Sequence, residues 1–459
     1  MELSKSQSTK LDRIFDEVVE CISDYAKDSD KEGGNQRQTS KYIPRPSLED
    51  SNGLSLMIGD LAKDKLIELY AELRDVLNCN RVISLTDIAH IVDPLFSSHI
   101  FNEGEQFDDI SQFALRVEQE INSGCKDTTI VVPFISSSSE QTQQELRVGD
   151  VRIISKDLLK NEFTSPLRRT ADDLYQQEYE ETAERYERFL WHIVVPIRGI
   201  YTDSLAEELA IDVAKLILNM FHIRIGKSHS YKMSVGFGLS TDPKSAVIKV
   251  LNDGKVTFKE RCSLGLGNVG LPDDFLSIFK GKYQEVSNII GISANLMLDV
   301  RKSYPLNQRL VDALYWHGDA VREQNKAVST VKFITALERL LTFNEQTGIK
   351  SRVCNRAIAL IRHWEFEEEA SLPHLKASLV RVYQLRSDIV HGSISPRDTD
   401  VGQKMEQIEE LSRCVLHCYA QSISHRLNEV ELKVEADIKK WLVSLVERYG
   451  IAQLPTAQE

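Results

Sequence analysis

The chain has 459 residues, 42% hydrophobic and 27% charged, which exceeds one ordinary core and excludes a wholly disordered or fibrous protein. Its formal net charge of −13 at pH 7 disfavours tight nonspecific binding to phosphate backbones. Seven cysteines without a CxxC read as reduced, mostly buried thiols of a cytosolic protein. The charge is uneven: residues 301–459 hold 22 Lys+Arg against 21 Asp+Glu, and the remainder holds 34 against 48. A local basic site in the last third is therefore compatible with an acidic whole. The first twenty residues lack an apolar signal region, and no stretch approaches about eighteen apolar residues. The expectation is a cytoplasmic protein without membrane insertion.

Residues 1–125 read as mostly helical. Leu11, Ile14, Phe15, Val18, Val19 and Ile22 recur at three-and-four spacing, as do Leu66, Leu69, Leu73 and Leu77. The polar, Gly-, Pro- and Ser-bearing stretch near 28–53 reads as a flexible loop. Residues 126–300 change character. IVVPFI, VGDVRII, HIVVPI and KMSVGFGL are short β-branched runs, and AVIKVLNDGKVTFK alternates on both sides of Asn252-Asp253-Gly254, a hairpin signal. Helical segments at 171–190 and 204–221 lie between them, so the region reads as an α+β domain. After residue 300 the strands stop. Five or six amphipathic segments between 309 and 450 predict an antiparallel all-α bundle.

Three stretches of that bundle, in order, carry a likeness. They are RLVDALYWHGDAVRE with KFITALERLLTF, in which Glu338 stands in an "ALExLL" pattern; SRVCNRAIALI; and VYQLRSDIVHG, with Arg386 and His391 as R-x4-H. Over roughly residues 304–430 the chain resembles the HEPN superfamily, specifically its Apea-like branch of prokaryotic anti-phage defence proteins. The spacing alone selects little, because Arg185/His192, Arg224/His229 and Arg356/His363 also satisfy R-x(4–6)-H. Only Arg386/His391 stands in the family context, with Gly392 following as a natural helix-closing residue.

The resemblance implies a metal-independent endoribonuclease that uses the RNA 2′-OH as nucleophile and leaves 2′,3′-cyclic phosphate ends. It implies a homodimer or higher oligomer, no cofactor, and catalysis by Arg386 and His391, supported by Ser387, Asp388 and Glu338. The superfamily often has Asn where this chain has Ser387. The residue chemistry suits the reaction. Histidine can serve as acid or base near neutral pH, and arginine offers a charged planar fork to phosphate oxygens. Arg352, Arg356 and Arg362 are candidates to steer RNA, with pairing to Glu365, Glu367, Glu368 and Glu369 as the structural reading. A structural role for the central pair is equally concrete: His391 as a C-terminal cation of its helix, and Arg386 paired with Glu338 or Asp388.

Other signals carry less. Gly265-Leu-Gly267-Asn-Val-Gly270 matches GxGxxG, but FKERCSL before it is too polar for a buried parallel strand and Pro272 follows too soon. Gly226-Lys227-Ser228 lacks the leading glycine of a P-loop. Cys414, Cys418 and His425, with His417 nearby, share one helix but want further zinc ligands, so core packing is expected. The whole predicts an α+β N-terminal and middle region followed by an all-α HEPN bundle. The resemblance implies that residues 1–300 are a sensor or regulator answering a phage-derived activator in abortive infection. The alternative is a non-catalytic HEPN platform for dimerisation or RNA binding.

Overall fold

A computed structural model describes the chain apart from residues 1–3, 32–44, 50–54, 59, 80–81, 101–106, 108, 136–143, 171–174, 232, 237–243, 263–278, 280–282, 300–304, 366–367, 396–397, 427–434 and 455–459. Two compact units form, one from residues 1–128 and 197–208, the other from 129–196 and 209–459.

The first unit contains α1 (Lys5–Lys31), β1 (Arg45–Glu49), β2 (Ser55–Ile58), α2 (Asp60–Val76), α3 (Leu85–Ile100) and α4 (Ile110–Gly124). The apolar stripes settle inside it: Leu11, Ile14, Val18 and Ile22 of α1 are buried with Leu66, Leu69 and Leu73 of α2. Phe15 meets Phe96 and Phe113 edge-on at 4.8 and 5.3 Å between ring centres. The stretch expected to be a loop is partly ordered. The helix α1 runs to Lys31, and Arg45–Glu49 pairs antiparallel with Ser55–Ile58. RPSLE has no apolar alternation, so its pairing left no pattern in the sequence. The rest of that expected loop, 32–44 and 50–53, lies outside the described residues.

The second unit opens with a sheet. Its parts are β3 (Thr128–Ile135), β4 (Glu145–Val148), β5 (Val151–Ser155), α5 (Lys156–Leu159), a π turn at Lys160–Thr164, α6 (Ser165–Thr170), α7 (Gln176–Glu187), β6 (Trp191–Ile197), α8 (Asp203–Ile225), α9 (Lys227–Ser230), β7 (Ser234–Val235), β8 (Lys244–Leu251) and β9 (Val256–Cys262). The strand order is β4-β5-β6-β3-β8-β9, with β7 on β3. The β8–β9 hairpin forms at the predicted turn, where Gly254 takes φ +77. Tyr186 ties α7 to the sheet: its hydroxyl donates to the Val131 carbonyl at 3.0 Å and accepts from the Ile248 N–H.

Every described element after β9 is helical. These are α10 (Gln284–Met297), α11 (Pro305–Arg322), α12 (Lys326–Leu341), α13 (Ile349–His363), α14 (Leu372–Val390), α15 (Thr399–Arg426) and α16 (Glu435–Arg448), with 3-10 turns at Glu369–Ser371 and Ile451–Gln453. The α+β region therefore gives way to an all-α region as expected. Among the described residues no helix is long and apolar enough to cross a membrane.

Helices packed this closely bury their carboxyl ends, whose last carbonyls need partners. Cations from distant segments supply them. Lys227 Nζ donates to the carbonyls of Ala320, Val321 and Glu323 at the end of α11, at 2.6–2.8 Å. Arg413 donates to Ile223 and Arg224 at the end of α8. Arg309, 3% exposed, donates to Arg339 and Thr342 at the end of α12. Lys376 donates to Ile451, Ala452 and Leu454. Burial pushes the Lys227 ammonium down to about 8, so it is still charged at neutral pH. Replacing it (Lys227→Met) strands those carbonyls. We expect a loss of about 2–3 kcal/mol in urea unfolding followed by circular dichroism.

Candidate functional site

The helix α14 turns Leu379, Val382, Tyr383 and Leu385 inward and leaves Arg381 and Gln384 exposed. Its start is marked by Pro373 in the first turn, where a missing N–H costs nothing. Its end is closed by two reversed bonds: Gly392 N–H to the Ile389 carbonyl at 3.2 Å, and Ser393 N–H to the Asp388 carbonyl at 2.8 Å. That closure needs a left-handed residue, and Gly392 provides it at φ +74. His391 is thereby fixed as the last helical cap, exposed, with its N–H on the Ser387 carbonyl.

Five residues earlier, Arg386 reaches from α14 toward Glu338 of α12. Its side chain is 32% exposed, and its Nη2 lies 3.9 Å from Glu338 Oε2, beyond hydrogen-bond reach. Its Nε is buried with no hydrogen-bond partner. The other Glu338 oxygen accepts from the Tyr383 hydroxyl. Burial, then the bond to Glu338, pushes the Tyr383 phenol well up, so it remains a donor. Glu338 is therefore fixed by Tyr383 and neutralises Arg386 only at a distance. The guanidinium keeps donors that a phosphate oxygen can use.

The expected set is thus only partly assembled. Arg386 and Glu338 come together, with Tyr383 as a third member that sequence reasoning missed. Its signal was its position three residues before Arg386, which makes helical neighbours. Ser387 and Asp388 meet His391 and the residues after it through their carbonyls, while the Asp388 carboxylate accepts from Gln384 at 3.0 Å. No hydrogen bond joins His391 to Arg386, and the imidazole makes none with other described residues.

Of the candidate RNA-steering arginines, Arg356 is corrected. It is 3% exposed, donates to the Leu341 carbonyl at 2.6 Å, and pairs through both Nη atoms with Glu345 at 2.8 Å. It reinforces the cap on α12 and does not reach solvent. Arg352 stays 41% exposed while donating to the Thr347 carbonyl, and Arg362 pairs with Glu369 at 2.8 Å. Pairing of Arg362 with the acidic run thus holds for one member. His363 meets Tyr449, which removes the Arg356/His363 match from consideration. In Gly226-Lys227-Ser228, the lysine serves the end of α11 and no phosphate loop forms. Gly265, Gly267 and Gly270 lie outside the described residues. Cys418 is buried in the core, and among the described residues no three His, Cys, Asp or Glu side chains are placed to hold a metal.

Comparison with protein-family models, with curated proteins and with solved structures gives no match to the chain. The site must be judged on its own chemistry.

The Arg356–Glu345 pair yields a pH dependence. The Arg356 guanidinium, helped by Lys439 and opposed by burial, holds the Glu345 carboxyl at about 2, below its ordinary 4.5. A depressed carboxyl stabilises the fold above about pH 4.5 and loses that contribution as pH falls toward 2. Glu345→Gln should cost about 1–3 kcal/mol at pH 7 in denaturant unfolding. The gap to wild type should close across pH 4.5 to 2.

Proposed function

We propose that the helical region α11–α16 is a HEPN-type endoribonuclease in which Arg386 holds the scissile phosphate and His391 moves the proton. The supporting observation is the state of Arg386. Lys227, Arg309, Arg356, Lys376 and Arg413 each donate to backbone carbonyls, whereas Arg386 has an unpartnered buried Nε and a counter-ion held off at 3.9 Å. A partly enclosed cation with free donors is suited to a charge that develops in the transition state.

His391 supports the same reading by its exposure at a helix end that Gly392 closes. The chemistry needs a base for the 2′-OH proton and an acid for the departing 5′ oxygen. One imidazole per chain cannot do both in one step, so a homodimer pooling two Arg386/His391 pairs is part of the proposal. RNA is the substrate class; anti-phage abortive infection and control by residues 1–300 are the setting that the resemblance implies.

The test is RNA cleavage by wild type, Arg386→Ala and His391→Ala in EDTA, with product ends mapped. We expect cyclic phosphate ends and a loss of at least about 100-fold in each variant. Cleavage surviving both substitutions would reject the assignment. RNA binding with no cleavage in any sample would favour the non-catalytic platform.

A further inference from the structure

The carboxyl end of α8, the start of α10 and the middle of α15 enclose a half-open cavity of about 190 Å³. Pockets for drug-sized ligands run to roughly 300–1,000 Å³, so an occupant here is small. One side is apolar, formed by Met220, Ile223 and Val286. The other carries two guanidiniums.

Arg413 is held rigidly, its Nε and Nη2 on the Ile223 and Arg224 carbonyls, and its Nη1 3.6 Å from Glu409. Arg224 lies over the Tyr283 ring at 4.3 Å, and its Nε is buried with no hydrogen-bond partner. A buried donor left in that state favours any acceptor that can enter. The imidazole of His417, 4% exposed, stands edge-on to the same Tyr283 ring. Glu410 is an exposed carboxylate of the lining and opposes a second anionic group on the occupant.

We propose that this cavity binds a small organic anion, a carboxylate or phosphate monoester with an apolar body, whose charged end is taken by Arg224, with the capping Arg413 guanidinium adding positive charge beside it. The site does not depend on the nuclease reading. The apolar body lies along Met220, Ile223 and Val286, and a single anionic group keeps clear of Glu410.

Cys414, a half-buried thiol in the lining, reports on the site in the full chain. Its alkylation by iodoacetate and by neutral iodoacetamide is compared by peptide mass mapping with that of Cys21, half-buried on α1. We expect the iodoacetate preference at Cys414 to exceed that at Cys21 by about fivefold, as two nearby cations draw in the anion. Millimolar benzoate or phenyl phosphate should slow Cys414 alone, and whichever protects better identifies the headgroup. Arg224→Met should erase both effects while buried Cys79 and Cys354 stay unreactive, which reports an intact fold. Equal preferences at the two cysteines with no protection by either anion in the wild type would overturn the proposal. Protection that persists undiminished in a folded Arg224→Met variant would do the same.

Discussion

Buried helix ends are the constraint on which the second unit depends. A helix leaves its last carbonyls unpaired, and in a packed bundle water does not reach them. Here the answer comes from lysines and arginines far away in sequence. Lys227 serves α11 from 93 to 96 residues away, and Arg413 serves α8 from about 190. Each cation joins a helix end to another element, so the caps also fix how α8, α11, α12 and α15 meet. A charged donor to several carbonyls is worth more than a neutral one, and removing it leaves the carbonyls stranded. These contacts therefore set the register of the bundle as well as its stability.

That constraint also sorts the basic residues. Short motifs flag Lys227 and Arg356 as readily as Arg386, because a sequence pattern cannot tell a capping cation from a ligand-binding one. Three-dimensional pairing can. Arg356 is enclosed by Glu345 and the Leu341 carbonyl, while Arg386 retains its donors beside a carboxylate that Tyr383 holds in place. A guanidinium kept half-buried and under-bonded costs stability, and such costs gather at functional sites. The same test singles out Arg224 in the cavity beside Tyr283.

What the sequence reveals follows from periodicity. The stripe from Leu11 to Ile22, the β-branched run at 130–135 and the alternation around Gly254 all became the elements they predicted, and Leu11, Val131, Ile248 and Val256 among them lie in cores. Gly392 was legible for a similar local reason: a helix closing there needs a left-handed residue. Elements without an apolar pattern were not legible, as with the Arg45–Glu49 strand. Long-range pairings were invisible too. Nothing local marks Glu345 as the partner of Arg356, eleven residues on, rather than the acidic run at 365–369. Tyr383 was missed because a tyrosine on an apolar helix reads as core, which it also is, being 8% exposed.

The functional account joins a resemblance confined to the last third of the chain with an under-bonded Arg386 and an exposed His391. In the proposed reaction the nucleophile is the RNA's own 2′-hydroxyl. The most direct measurement is cleavage of an RNA carrying a single 2′-deoxy substitution at the nucleotide where the wild-type protein is found to cut. Cleavage at that position should stop while neighbouring sites are still cut. Cleavage continuing at the deoxy position would mean that water is the nucleophile, which would contradict the mechanism assigned to Arg386 and His391.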